Sequence, residues 1–194
     1  MEEEKKPEEI GIEEEKVEQE PAGEKKAAPP VKLVMSPEGV PRPYLSVEQM
    51  YAIGEEFSKR IFSDEKIATK LRASKMIIRM EYYDQDYFGD EEPQVTVDLT
   101  QDPIKFYTGP CEVKPVVIMR MHSDIAHRFW MQKANLMVAI TKGQIKVKGP
   151  LPQVMKLLPI IKPSFAIYRE VLQDLGHTEL LNYPPEKKKK EEAS

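Results

Sequence analysis

The sequence predicts an α+β fold, with five strands in a mostly antiparallel sheet and helices packed on one face of it. Two observations predict this fold. Apolar residues recur at helical spacing in some segments and alternate with polar residues in others. Along the chain these segments follow the order helices, four strands, helices, one strand and helices.

Apolar spacing and capping residues predict the helices. The first opens at Ser46, and Gln49 three residues later completes a capping-box pair that satisfies free backbone N–H groups. Ser63 is the predicted cap of the second helix and Ser123 that of the third. The helices are expected over residues 46–61, 64–71, 123–130, 134–141, 151–158 and 164–175.

Alternation with a period of two predicts the strands. In the first strand segment, Ile78 and Met80 share one face while Arg79 and Glu81 take the other. A turn is expected over residues 84–93, between the first two strands. The strands are expected over residues 76–83, 94–99, 104–108, 116–121 and 145–148.

Composition divides the chain into a domain and two tails. Residues 1–32 hold eleven acids, six bases and few large apolar residues, and residues 184–194 are similarly charged, so both are predicted to be disordered. Residues 33–183 then form one domain, large enough for a core and a cavity. Its nineteen acids balance nineteen bases, which argues against a nucleic-acid partner.

The charge of the domain is nevertheless sorted along the sequence. Residues 113–163 hold nine bases and a single acid, Asp124. Two interpretations stay open: a solvated basic face, or a surface that docks on an anionic membrane or binds an anionic headgroup. The predicted membrane-docking residues are Lys142, Lys146, Lys148 and Lys156.

Cysteine content and hydropathy predict a cytoplasmic protein, peripheral at membranes where it docks. The single cysteine, Cys111, excludes an internal disulfide framework and fits a reducing compartment. No run of 18 apolar residues is present, and the N-terminal residues are acidic, unlike a secretory signal.

No catalytic residue, cofactor or metal site is predicted. The run from His122 to Asp124 has the composition of a hydrolase triad, but adjacent residues cannot form the required relay. His127 is expected at the helix surface or in a cap. Cys111 has no companion at the spacing of metal ligands.

The most informative stretch is residues 134–158. An apolar helical face runs into Gly143, an alternating strand carries Ile145 and Val147, and Gly149 precedes a second apolar helix. This pattern resembles the sterol carrier protein type 2 family of lipid-binding domains, and the resemblance extends over residues 46–158. Pro150 departs from the polar residue that the family often has there, although proline suits a first helical turn.

The resemblance implies a hydrophobic tunnel between sheet and helices that holds an apolar lipid. A separate hypothesis, which does not come from the resemblance, is that the last helix, over residues 164–175, acts as a lid. Nine of the ten methionines lie in the domain and suit such a lining, since methionine adapts to irregular apolar shapes. A tunnel of about 500 Å³ left empty would cost about 12 kcal/mol. Apolar periodicity supplies the candidate ligand-binding positions, which are Phe57, Ile61, Ile78, Met80, Val97, Phe129, Trp130, Met137, Ile140, Val154 and Leu158.

The predicted function is that of a non-enzymatic intracellular carrier for a sterol-like, fatty acyl or isoprenoid ligand. The alternative is an accessory or scaffold protein that presents a hydrophobic intermediate to partner enzymes. A third hypothesis, an enzyme acting on acyl thioesters, would have to use Cys111, His122 or His127.

Overall fold

A computed structural model describes residues 43–44, 46–83 and 92–183. The two predicted tails and most of the predicted turn at residues 84–93 lie outside these residues. The helices are α1 (Val47–Ser63), α2 (Glu65–Arg72), α3 (Ser123–Trp130), α4 (Leu136–Thr141), α5 (Leu151–Ile161) and α6 (Ser164–Asp174), followed by a 3-10 helix (Thr178–Asn182). The strands are β1 (Ile77–Tyr82), β2 (Gln94–Asp98), β3 (Lys105–Thr108), β4 (Val117–Met121) and β5 (Ile145–Lys148).

The five strands form one sheet in the order β3-β2-β1-β4-β5. Only the β1–β4 pair is parallel among these strands, so the predicted α+β class and mostly antiparallel sheet are confirmed. Met80 lies opposite Val95 on β2 and opposite Met119 on β4. Because side chains at paired positions share a face, this register builds a row of apolar groups across the middle of the sheet.

Two predicted helix caps are wrong, each by one residue. The Asp64 carboxylate, not Ser63, caps α2 by accepting hydrogen bonds from the backbone of Lys66 and Ile67 at 2.9 and 3.1 Å. The Ser63 hydroxyl instead donates to the carbonyl of Lys59, one turn back in α1. His122 is the N-cap of α3, and Ser123 is its first helical residue.

Helix α5 runs three residues beyond its predicted end at residue 158, through Pro159 to Ile161. Proline removes one backbone donor and normally ends a helix. Here it lies in the last turn, where the helix continues and places Ile161 against the core.

A loop covers part of the sheet face that carries Arg79, which we call the outer face. The guanidinium of Arg79 donates to the carbonyls of Cys111 and Val113 and to the hydroxyl of Thr96. Thr96 is fully buried there. The helices cover the opposite face. Within the described residues, no helix is both long and apolar enough to cross a bilayer.

Candidate ligand-binding site

An apolar cavity of about 210 Å³ lies between the sheet and the helices. Alternate residues of β1, β2 and β4 form its floor, and side chains of α1, α3 and α5 form its walls. The lining residues are Gly54, Phe57, Ser58, Ile61, Phe62, Leu71, Ile78, Met80, Tyr82, Val95, Val97, Leu99, Phe106, Met119, Met121, Ala126, Phe129, Trp130, Leu136, Ile145, Val154, Leu157, Leu158 and Ile161. Ser58, Tyr82 and Trp130 are the members of this set with a side-chain nitrogen or oxygen atom, so the cavity offers mostly hydrophobic contacts.

Nine of the eleven candidate positions line this cavity, and their role in binding stays a prediction. They are Phe57, Ile61, Ile78, Met80, Val97, Phe129, Trp130, Val154 and Leu158. Met137 and Ile140 do not line it, so their assignment to the cavity wall is corrected. Met137 is 43% exposed, and the residues of α4 that turn inward are Leu136 and Ala139.

Sequence reasoning missed several lining residues on the sheet. Tyr82, Val95 and Leu99 follow the same alternation that identified Ile78, Met80 and Val97. Met119 and Met121 lie on the cavity side of β4 by the same rule. The period-two signal was therefore present for all of them.

Aromatic rings form the wall where α1 meets α3. Phe57 and Trp130 pack edge to face with centroids 4.7 Å apart, and Phe129 lies 5.1 Å from Trp130. Such pairs are worth about 0.5–1.5 kcal/mol beyond their buried area. The rings therefore hold one another in place and give the cavity a defined wall on this side.

The cavity is less than half the expected size. At about 24 cal/mol per Å³, an empty cavity of 210 Å³ costs about 5 kcal/mol, which a domain of this size can tolerate. A tunnel through the domain stays a prediction.

A buried hydrogen-bonded chain lies directly behind the aromatic wall. His127 is fully buried, which corrects the expected surface or capping position. Its Nε2–H donates to the carbonyl of Leu180 at 3.0 Å, and its Nδ1 accepts from the hydroxyl of Tyr168 at 2.9 Å. Because the single hydroxyl hydrogen of Tyr168 is used, Tyr44 donates to the oxygen of Tyr168 at 3.0 Å.

These bonds fix α6 in the core. Tyr168, Val171 and Leu172 of α6 are buried, and Tyr168 also packs on Phe57 with centroids 5.1 Å apart. The last helix therefore forms part of the structure behind the cavity wall. This position argues against the hypothesis that the last helix acts as a lid.

Protonation of His127 would break the chain, so we expect stability to depend on acidity. Burial lowers the pKa of His127 to about 4, from about 6.5 in the unfolded chain. The unfolded state therefore binds the proton first as the pH falls. The contribution of His127 to the free energy of unfolding is fully present above pH 6.5. It falls by about 3 kcal/mol as the pH decreases from 6.5 to 4, and it does not change further below pH 4.

Urea unfolding at pH 7.5, 5.5 and 4.5 measures this dependence. His127→Gln is the matched variant, because a neutral amide can donate to Leu180 and accept from Tyr168 without titrating. The free energy of unfolding of the variant should depend less on pH than that of the wild type, because position 127 no longer titrates. If the free energy of unfolding of the variant depends on pH between 6.5 and 4 as strongly as that of the wild type, His127 is not the group responsible.

The residues that an enzyme would have to use lie in three different surroundings. Burial opposes ionisation of the Cys111 thiol, but hydrogen bonds with Thr96 and the Val113 backbone and the charge of Arg79 lower its pKa overall. That thiol lies on the outer face of the sheet, whereas His127 is buried on the cavity side. His122 packs beside Tyr83, with ring centroids 4.4 Å apart. Cys111 and His127 therefore do not form a thiol–imidazole relay.

A second concave region, which we call the outer groove, lies beside the cavity and measures about 490 Å³. Phe129, Leu136 and Leu158 line both, so the two regions share a wall. The other lining residues of the groove are Gln132, Lys133, Ala134, Asn135, Met137, Met155, Lys162 and Phe165.

The four predicted docking lysines are all exposed. Lys146 and Lys148 alternate with the buried Ile145 on β5, Lys142 follows α4, and Lys156 lies on α5. Their exposure is compatible with docking, which stays a prediction.

Solved structures with a similar fold include sterol carrier proteins. The sterol carrier protein domain 2 of Helicoverpa armigera has a TM-score of 0.50 and 16% identity, over 64% of this chain and 93% of that one. The apo form of sterol carrier protein 2 from Yarrowia lipolytica has a TM-score of 0.44 and 14% identity, over 63% of this chain and 87% of that one. The chain therefore has a fold like that of sterol carrier protein 2.

The sec-alkylsulfatase Pisa1 from Pseudomonas sp. also matches, with a TM-score of 0.40 and 15% identity over 48% of this chain. This chain spans only 14% of the length of that enzyme, so the match covers a small part of it. No protein-family model and no curated protein sequence matches the chain.

Proposed function

We propose that this protein binds an apolar lipid without transforming it and carries the lipid in the cavity between sheet and helices. The observation that carries the proposal is the cavity itself, whose lining is almost continuously hydrophobic over side chains from both layers. The similarity in fold to sterol carrier proteins supports it. The separation of Cys111 from His127 favours a carrier over an enzyme.

The size of the cavity favours a chain over a sterol. A cavity of about 150 Å³ is known to hold the six carbons of benzene, so 210 Å³ holds about eight carbons. A sterol has far more carbons than that and would require the walls to move. Burying eight methylene groups contributes about 6 kcal/mol, so an acyl or isoprenoid chain end gains substantial affinity.

Titration with 1-dodecanol, followed by tryptophan fluorescence, tests this proposal. Trp130 is the only tryptophan of the chain and lines the cavity, so its emission reports occupancy directly. We expect a saturable change with one ligand per protein and a higher melting temperature. The absence of both effects with dodecanol, farnesol and cholesterol would contradict lipid binding.

We also propose that the exposed lysines at the end of α4, on β5 and on α5 bring the carrier to anionic membranes. Each lysine near such a surface contributes about 1 kcal/mol, and salt screens the attraction. Binding to phosphatidylserine vesicles should therefore weaken at least tenfold between 0.05 and 0.5 M salt. Substitution of Lys142, Lys146, Lys148 and Lys156 by glutamine should produce a similar loss.

The matched control is a second quadruple glutamine variant with the same change in net charge. It replaces the exposed residues Lys59, Lys66, Lys70 and Lys105, which lie on α1, α2 and β3. We expect this control to retain most of the vesicle binding. Equal losses in the two variants would show that net charge alone is responsible.

A further inference from the structure

The outer groove combines apolar walls with positive charge. Among the described residues that line it, both charged ones are lysines, Lys133 and Lys162. Phe129, Met155 and Phe165 add apolar surface between and beside them. The mostly hydrophobic cavity thus shares a wall with a neighbouring region whose two lysines can neutralise the charge of an anion.

The position of one of these charges is fixed by the fold. Lys133 donates from Nζ to the carbonyl of Tyr183 at 2.7 Å, and the carbonyl of Leu181 lies at 3.4 Å. An ammonium group has three N–H donors, so a third remains for another acceptor. Lys162 follows the last turn of α5 and is exposed.

The shared wall connects this charge with the cavity. A ligand chain longer than about eight carbons exceeds the cavity, and a chain that exits beside Phe129, Leu136 or Leu158 enters the outer groove. Its polar end then lies in the outer groove. A headgroup placed there can pair with the lysines without burying an unpaired charge.

We propose that Lys133 and Lys162 form a headgroup site, and that the ligand is a single-chain amphiphile with an anionic head. The inference rests on the proposed function, because the chain of the same ligand occupies the cavity. The shared chemistry is that of a carboxylate or a phosphate monoester. Either head accepts hydrogen bonds from ammonium groups.

Three probes with the same chain test the proposal: dodecanoate, dodecyl phosphate and 1-dodecanol, each titrated against Trp130 emission at pH 8. We expect at least one anionic probe to bind more than tenfold tighter than dodecanol. The better anion distinguishes a carboxylate head from a phosphate head. Added salt should reduce this preference, since it screens the lysines.

Variants locate the headgroup. Methionine keeps the apolar stem of lysine and removes its charge, so the variants are Lys133→Met, Lys162→Met and the double variant. Each single change should weaken anion binding about fivefold, and both together about twentyfold. Dodecanol binding should change less than twofold. Lys114→Met is the matched control, because Lys114 is exposed in the loop that packs on the outer face of the sheet.

Equal affinity of wild-type protein for dodecanol and both anions would overturn the headgroup proposal and leave lipid binding intact. Equal weakening of dodecanol and anion binding in the double variant would also overturn it. If none of the three probes binds, the proposed function fails together with it. The comparison of probes on wild-type protein decides the matter even if Lys133→Met does not fold.

Discussion

Gly149→Ala is expected to destabilise the protein by about 4 kcal/mol. Gly149 joins β5 to α5 with a φ of +112°, a conformation that residues with a side chain rarely adopt. A Cβ atom there would overlap with the carbonyl oxygen of Val116 and lie 3.2 Å from the Cα of Val117. Both are backbone atoms, so relief requires separating the start of β4 from the β5–α5 connection.

Gly143→Ala provides the matched control for this substitution. Gly143 has a φ of +70° at the other end of β5, and nothing lies within 4 Å of a Cβ atom built there. The variant therefore meets only backbone strain, and we expect a loss of about 1 kcal/mol. Urea unfolding of both variants measures the difference in unfolding free energy. Equal losses would show that the close approach of the Gly149 Cβ position to the backbone of Val116 and Val117 adds no cost.

Ala126→Leu is expected to weaken binding of dodecanol by about 50-fold while the protein stays folded. Ala126 lies on α3 and lines the cavity. The substitution adds three carbons to a space for about eight, which removes about 2.4 kcal/mol of buried methylene groups from the ligand. Filling the cavity should leave stability unchanged or raise it by about 1 kcal/mol.

The control for this prediction is Ala52→Leu, the same change at an exposed position of α1 that does not line the cavity. Its dodecanol affinity should equal that of the wild type by Trp130 fluorescence. If Ala126→Leu binds dodecanol as tightly as Ala52→Leu does, the ligand lies outside the cavity.

The sheet and most of the helices could be predicted from residue periodicity. Alternation placed Ile78, Met80 and Val97 on one face, and the register of β1 with β2 and β4 brings their neighbours onto the same floor. The pairing of β1 with β4 had no sequence signal. In the sheet, β2 pairs with one edge of β1, and β4 pairs with the edge that remains free.

The errors at the site came from a segment with little periodicity. In α4, Leu136, Met137, Val138, Ala139 and Ile140 are consecutive and apolar, so spacing could not show which of them turn inward. Tertiary packing selects Leu136 and Ala139. Candidate positions at Met137 and Ile140 were therefore wrong for the cavity wall, although Met137 lines the outer groove.

The burial of His127 and the size of the cavity could not be derived from the sequence. A histidine in a helix carries no mark of burial, and its partners Tyr168 and Leu180 are distant in sequence. Cavity volume is the difference between the space that the backbone encloses and the side chains that fill it. Neither quantity follows from periodicity.

Intermolecular nuclear Overhauser effects between isotope-labelled protein and bound 1-dodecanol test the central claim most directly. We predict contacts from the terminal methyl end of the chain to Met80, Val97 and Val154, which line the floor and wall of the cavity. Contacts confined to the exposed residues Met137 and Val138, or no bound state at all, would contradict a ligand held between the sheet and the helices.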